Sequence, residues 1–373
     1  MSPASNKLGV RHQKSSNNPY QRRSYSGQKK TPLCKPFTVC TTNGYIVDLA
    51  GPYAAKQNDA TIVRDVLKDA SLLSLLRPGD VLVVDRGFST AKDFMTGLGF
   101  QVLMPAMLNK RKQLQTDEAN QSRCVTKVRW VVEAVHGHLW GKFKLLKYMV
   151  DNKMLPKLPM LCKILGFLQN TYGQRLGFED SATAELLDYM ESRSSLPHTL
   201  GQEVEAEGWN RKPSSFQSIS ADDLTEFPIM TESSLLLFTS GLYQLRMARS
   251  YLAEIIDAND EVPMRFVKVK PTIIRVNIRS RHSERVEYRV YVDYEPGRNN
   301  VEGIKGYYCD CKNGARTVGC CSHVATVVSY LALMRWMSTV PRPADYLTDL
   351  FVPRESDSEA ESEDEVAGPS RAD

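Results

Sequence analysis

Nowhere does the chain run apolar for long enough to cross a bilayer, and its first thirty residues, polar and rich in Ser, Asn and Lys, lack the apolar stretch of a secretion signal. A soluble, intracellular protein is therefore expected. Acidic residues are missing from Met1 to Val47, where Lys7, Arg11, Lys14, Arg22, Arg23, Lys29, Lys30 and Lys35 are all basic. Such a head suits phosphate backbones. Cysteine is scarce, at 8 of 373 residues, and Cys34, Cys40, Cys124 and Cys162 show no framework spacing. That excludes a disulfide-stapled fold and fits reduced thiols of a cytosolic or nuclear protein. The lack of a useful internal repeat excludes a solenoid. The 42 % hydrophobic content, in turn, excludes global disorder, and the length admits two domains plus tails.

Against that scarcity, four ligand-type residues gather near the end: Cys309-x-Cys311, nine intervening residues, then Cys321-x-His323. Thiolate sulfur and imidazole nitrogen are the donors of a closed tetrahedral zinc site, and this spacing lets one hairpin and one helix start supply two ligands each. Tyr307 and Tyr308 have strand character, Lys312-Asn313-Gly314 is a turn, and Val324 to Leu333 is an apolar run of helical length. Cys320 could replace Cys321, but the x-His step favours Cys321, and Cys320 is read as a free thiol. Ordinary buried thiols beside a core histidine are the competing explanation. The pattern resembles the SWIM-type zinc finger over roughly residues 265–336.

Earlier in the chain, strand-like runs at 36–40 and 45–49 flank Thr42-Asn43-Gly44, a hairpin signal. A helix capped at Asn58-Asp59 runs to Leu75, and Pro78-Gly79 stops it. Asp80 to Asp85 reads as a buried parallel strand ending on Asp85. A short helix near 89–97, a strand at 101–104, a charged loop and a long helix from about Cys124 to Met149 follow. In that helix Val128, Val131, Val132, Val135 and Leu139 form the apolar stripe and Glu133 lies beside it. This is the element order of an RNase H-like α/β fold, a mixed sheet incomplete at its N-terminal strand. Such a fold presents carboxylates to a pair of magnesium ions, which need hard anionic ligands. Glu133 could equally pair with Arg129 one turn away, and Asp85 could cap the next turn.

Gln13 to Asn18, Gln21 to Lys30, Gly44-Tyr45-Ile46-Val47, Gly51-Pro52-Tyr53, Asn58-Asp59-Ala60, Val84-Asp85-Arg86-Gly87-Phe88, Val128 to Glu133 and Phe143-Lys144 together resemble the DDE-superfamily endonuclease domain of transposases and transposase-derived proteins, of the PIF/Harbinger-like kind. The resemblance reaches about Gly173. It implies that Asp85 is the second metal-binding Asp and Glu133 the closing Glu, an incomplete catalytic triad that could hold Mg2+ or Mn2+. The first Asp should lie at or near Asn6, where the sequence has an amide. Two carboxylates should hold a divalent pair weakly, so the expected enzyme is inactive as given.

The organisation expected is a basic arm at 1–35, an endonuclease remnant at 36–173, a Ser/Glu/Gly/Pro linker at 174–228 with a helix near 182–190, a small α+β zinc-binding domain at 229–345, and an acidic, serine-rich disordered tail at 346–373. In the zinc-binding domain a helix from Met230 to Ile256 precedes strands at 272–278 and 286–292. The partners implied are nucleic acid, DNA above all, and protein through the zinc module, with no membrane and no small-molecule substrate. The expected function is that of a nuclear, transposon-related zinc-binding protein. Its rivals are an active Mg-dependent endonuclease or transposase and a zinc-dependent protein-interaction adaptor.

Overall fold

The computed structural model describes residues 2–4, 9–27, 29–176, 181–256, 262–281 and 283–337. They belong to two compact units, Met1–Leu196 and Pro197–Asp373. Asn6 and the acidic tail lie outside the described residues.

In the first unit a hairpin turns at Gly44, whose φ of 83° suits a residue without a Cβ. The N-terminal segment β1 (Ser2–Ala4), β2 (Val10–Arg11), α1 (Asn18–Ser24) and β3 (Tyr25–Ser26) precedes the two hairpin strands, β4 (Thr31–Cys40) and β5 (Ile46–Ala54). β4 pairs antiparallel with β5, and its other edge takes β1 and β2, with Ala4 opposite Thr38 and Val10 opposite Cys34. The N-terminal strand, expected to be faint or absent, is thus present in two pieces, each too short to show a period-2 pattern. Nor is 1–35 an arm throughout. Asn17 caps α1 by accepting from the Tyr20 N–H at 3.1 Å, β3 pairs with β4, and Val10 and Leu33 are buried.

Next come α2 (Asp59–Val66), α3 (Ala70–Leu73), β6 (Val81–Val83), a 3-10 turn at Arg86–Ala91, α4 (Lys92–Gly97) and β7 (Gln101–Leu103). The single helix expected from Asn58 to Leu75 is two helices, because Asp69 starts a second by accepting from the Ser71 N–H at 2.9 Å. β6 and β7 pair in parallel, Leu82 opposite Val102. The long helix α5 (Thr116–Lys142) begins within the expected charged loop, where the Glu118 carboxylate accepts from the Gln115 N–H at 3.1 Å. α6 (Lys144–Lys147), α7 (Leu158–Tyr172) and α8 (Ser181–Ser194) complete the unit.

Alternation along β4 divides the core of this unit in two. Phe37 and Val39 pack with Ile62, Val63, Phe88 and Met95, whereas Cys40 packs with Val131, Val132, Val135 and Leu139 of α5. Thr38 Oγ1 lies 2.9 Å from His136 Nε2, so α5 is pinned to the sheet by a polar contact inside the apolar face.

The second unit is built on α9 (Thr199–Ala206), β8 (Phe216–Ile219), α10 (Glu232–Thr239), α11 (Leu242–Ile255), β9 (Met264–Val267), β10 (Lys270–Ser280), β11 (Ser283–Tyr294), β12 (Ile304–Cys309) and α12 (Ser322–Ala332). The five strands form one antiparallel sheet in the order β12-β11-β10-β9-β8. Ile274, Val276, Ile278, Val290, Val292, Tyr307 and Cys309 face the core shared with α10, α11 and α12. Ile273, Tyr291 and Tyr308 point the other way, onto Leu200 and Val204 of α9 and onto Trp209. The stretch read as a linker, 174–228, therefore holds α8, α9 and the edge strand β8, and the second unit starts at Pro197 rather than 229. Pro197, Gly208 and Ser220 form turns between its short elements. The helix expected over Met230–Ile256 breaks at Ser240 and Gly241, both with positive φ (53° and 146°).

One ion pair in the first unit is almost wholly buried. Lys35 on β4 and Asp59 on α2 lie 3.4 Å apart, with side-chain exposures of only 10 % and 4 %, and Lys35 Nζ also donates to the Gln57 carbonyl. Removing one partner strands a buried charge, so Asp59→Ala should destabilise the unit by about 3–5 kcal/mol, whereas the paired Lys35→Met/Asp59→Leu change should cost much less. Urea denaturation of the three proteins measures both. Equal losses in the single and double variants would show that the pair is not what holds these residues.

Candidate metal centre

β12 ends on Cys309, the chain turns through Cys311 to Gly314, and it returns through an irregular loop to Cys321 at the N-cap of α12. The turn closes on itself: the Gly314 N–H donates to the Cys311 carbonyl at 3.0 Å and the Cys309 N–H to the Gly314 carbonyl at 3.3 Å. Only glycine fits at 314, since a Cβ there would lie 1.9 Å from the Cys309 carbonyl oxygen. The returning loop is latched by Tyr307, whose hydroxyl lies 2.9 Å from the Thr317 carbonyl oxygen and 3.1 Å from that of Gly319. At the helix start Cys321 Sγ accepts from the Val324 N–H at 3.5 Å, so this sulfur sits where a helix N-terminus favours negative charge.

These constraints bring one ligand atom each from Cys309, Cys311, Cys321 and His323 within 4.8 Å of one another, and all four residues are buried. Cys309 Sγ lies 3.6 Å from His323 Nδ1. A tetrahedron with Zn–S of about 2.3 Å and Zn–N of about 2.0 Å has edges of roughly 3.5–3.8 Å, which the Cys309–His323 separation matches. The imidazole is held between the rings of Tyr251 and Tyr288, at centroid distances of 4.8 and 4.7 Å, and its Nε2 is buried without a hydrogen-bond partner. With Nδ1 facing the thiols, the ring is oriented as a ligand. Cys320 lies outside the cluster and packs fully buried in the core, as the x-His step requires.

The electrostatics of the four groups make the same point. Burial, with the Cys311 and Cys321 thiols alongside, pushes the Cys309 thiol well above its ordinary range. Burial acts the same way on Cys321, but hydrogen bonds from Cys309 and Cys311 and the neighbouring imidazole outweigh it and hold that thiol well below. Three crowded thiols cannot all ionise without a cation among them, and a divalent ion removes the conflict. Arg316, in the same loop, is a further buried cation.

Sequence reasoning named the four residues that come together here but not what positions them. Asp310, between two cysteines, accepts from the Arg289 N–H at 2.8 Å through Oδ1 and lies 3.1 Å from Arg289 Nη1 through Oδ2, which locks the knuckle to β11. An acid inside a Cys-x-Cys step was the available signal.

The endonuclease candidates sit in the first unit. Asp85 follows β6 and caps the 3-10 turn, accepting from the Gly87 N–H at 2.7 Å. Glu133, on α5, pairs with Arg129 at 2.9 Å. α5 packs against β6, so the helix bearing Glu133 adjoins the strand that leads to Asp85. Among the described residues, however, neither joins a group of three or more potential metal ligands.

A full-length chain purified from zinc-supplemented cells should contain one zinc per molecule by elemental analysis. Cys311→Ala and His323→Ala should lose it, Cys320→Ala should keep it, and Gly314→Ala should destabilise the second unit by roughly 2–4 kcal/mol because the turn must open. Chelation should unfold that unit, since the binding energy of such a site is folding energy. Full occupancy in Cys311→Ala would refute the ligand set.

Comparison with curated proteins and with solved structures gives no match. Residues 8–170, within the first unit, match the family model described as DDE superfamily endonuclease.

Proposed function

We propose that the chain is a transposase-derived nuclear protein that binds nucleic acid without cutting it, and that its second unit is a SWIM-type zinc module. The observation that carries the reading is the endonuclease-family match over residues 8–170 in a chain with Asn6 where the resemblance calls for the first acid. An amide brings no charge. Asp85 and Glu133 are already engaged, one as a cap and the other as an ion pair, and two carboxylates make a poor seat for two magnesium or manganese ions. An RNase H-like arrangement is supported by the order of strands: β5, β4, the N-terminal pieces, then parallel β6 and β7, with β1 lying against both β4 and β6.

The zinc assignment rests on the donor set: three buried thiols and one imidazole within 4.8 Å of one another, with the Cys-x-Cys and Cys-x-His steps of the SWIM pattern. Bound zinc would supply structure rather than chemistry, because four protein ligands leave no open position for substrate. The rival reading, an active endonuclease, draws on the packing of α5 against β6, which adjoins the two remaining acids' elements.

Supercoiled plasmid incubated with the protein in Mg2+ or Mn2+ should show no nicking above background. Cleavage that disappears in Asp85→Ala or Glu133→Ala would overturn the non-cutting assignment and make a third ligand necessary.

A further inference from the structure

The outer face of the second unit's sheet carries four arginines, two of them exposed and outside any ion pair among the described residues. Beyond the part covered by α9 and Trp209, alternation puts Arg265 of β9, Arg275 and Arg279 of β10 and Arg289 of β11 on this one face, the face of Ile273 and Tyr291. Arg265 stands directly opposite Arg275, and Arg289 opposite Asn277. Like charges in direct opposition destabilise a sheet pair, so the arrangement works against folding unless something else favours it. Arg275 is held flat by aromatic rings, its guanidinium 4.6 Å from the centroid of Phe216 and 6.0 Å from that of Tyr291.

Three acids share this face, and all are engaged: Glu287, which stands opposite Arg279, accepts from Asn277 Nδ2 at 3.0 Å, Asp293 pairs with Lys270 at 3.2 Å at the covered end, and Asp310 is bound by Arg289. Arg265 and Arg279 are exposed and have no ion-pair partner among the described residues. Strand rise and spacing make the patch about 14 Å long from Arg275 to Arg279 and about 10 Å wide from Arg265 to Arg289. A duplex carries one phosphate per ~3.4 Å of helix axis on each strand, so a patch of this size can reach more than one of them. The guanidinium fork matches phosphate oxygens two at a time.

We infer that this arginine face of the β9–β11 sheet is a docking surface for the phosphate backbone of nucleic acid. The inference rests on the nucleic-acid-binding reading above and assigns the contact to the second unit rather than to the basic head. Asp310 connects the surface to the metal centre: one carboxylate, set between two thiol ligands, orients Arg289 on the face. An ordered Cys3His knuckle thereby fixes one of the four cations.

The test uses the full chain and a fluorescently labelled random DNA duplex, with anisotropy measured across a salt series. For wild type, log K should fall linearly with log salt. R265Q/R279Q, which alters two exposed side chains and should leave zinc content and near-ultraviolet circular dichroism unchanged, should flatten that slope by about 1.8, at ~0.9 for each phosphate no longer neutralised. R265K/R279K should recover most of it, because charge rather than shape sets the slope. Salt-dependent wild-type binding with an unchanged slope in R265Q/R279Q, and a slope abolished instead in K14Q/R22Q/R23Q, would overturn this surface and leave the binding function standing. No salt-dependent binding by wild type would overturn the function as well. Unchanged DNA binding together with failure to bind a labelled polyglutamate peptide in R265Q/R279Q would make the face an acidic-protein site and overturn the inference.

Discussion

Three sulfur atoms and an imidazole nitrogen within 4.8 Å of one another, shielded from water, form an arrangement that a polypeptide does not adopt without compensation. The thiols compete for protons and the imidazole is locked between two tyrosine rings. Much of the second unit holds these atoms together: the glycine turn closes the knuckle, the Tyr307 hydroxyl latches the loop, and the α12 N-terminus receives Cys321. A metal held there would add a cross-link at the edge of the core that the sheet shares with α10, α11 and α12.

The first unit shows the opposite arrangement. Its acidic residues perform local structural work: Asp59 neutralises a buried lysine, while the two catalytic candidates are held locally, Asp85 capping a turn and Glu133 pairing along its own helix. A carboxylate committed to a lysine or a backbone amide is less available to a cation, and a site that holds two metal ions needs several at once. The contrast between the units is one of ligand gathering. Four soft donors converge in one, while the hard donors of the other remain dispersed among the described residues.

Much of this was legible in the sequence, for reasons that differ by element. The Asn43-Gly44 hairpin, the strand before Asp85 and the pair β10–β11 were readable because a turn dipeptide or a dense β-branched run marks each. The Cys3His cluster was readable because the donors a metal site would need are fixed in residue type and spacing together. The start of the second unit was not. β8 is four residues long, α9 eight, and their burial depends on Tyr291 and Tyr308, far along the chain. The two-piece N-terminal strand escaped for the same reason, since only pairing with β4 makes Ser2–Ala4 and Val10–Arg11 strands. The helix breaks at Asp69 and at Ser240-Gly241 were visible as residues but outweighed by apolar periodicity on both sides.

The compactness of the ligand set bears on the order in which the second unit can assemble. Cys309 to His323 spans fifteen residues, so capturing a metal closes only short loops, and loop-closure entropy grows with the length closed. By contrast, β8 must find β9 across the whole of α10 and α11. A knuckle that forms early gives β11 a finished edge and gives α12 a fixed start. During synthesis the strands β8 to β11 leave the ribosome before these ligands do, so an early knuckle can form only after most of the sheet's sequence has emerged.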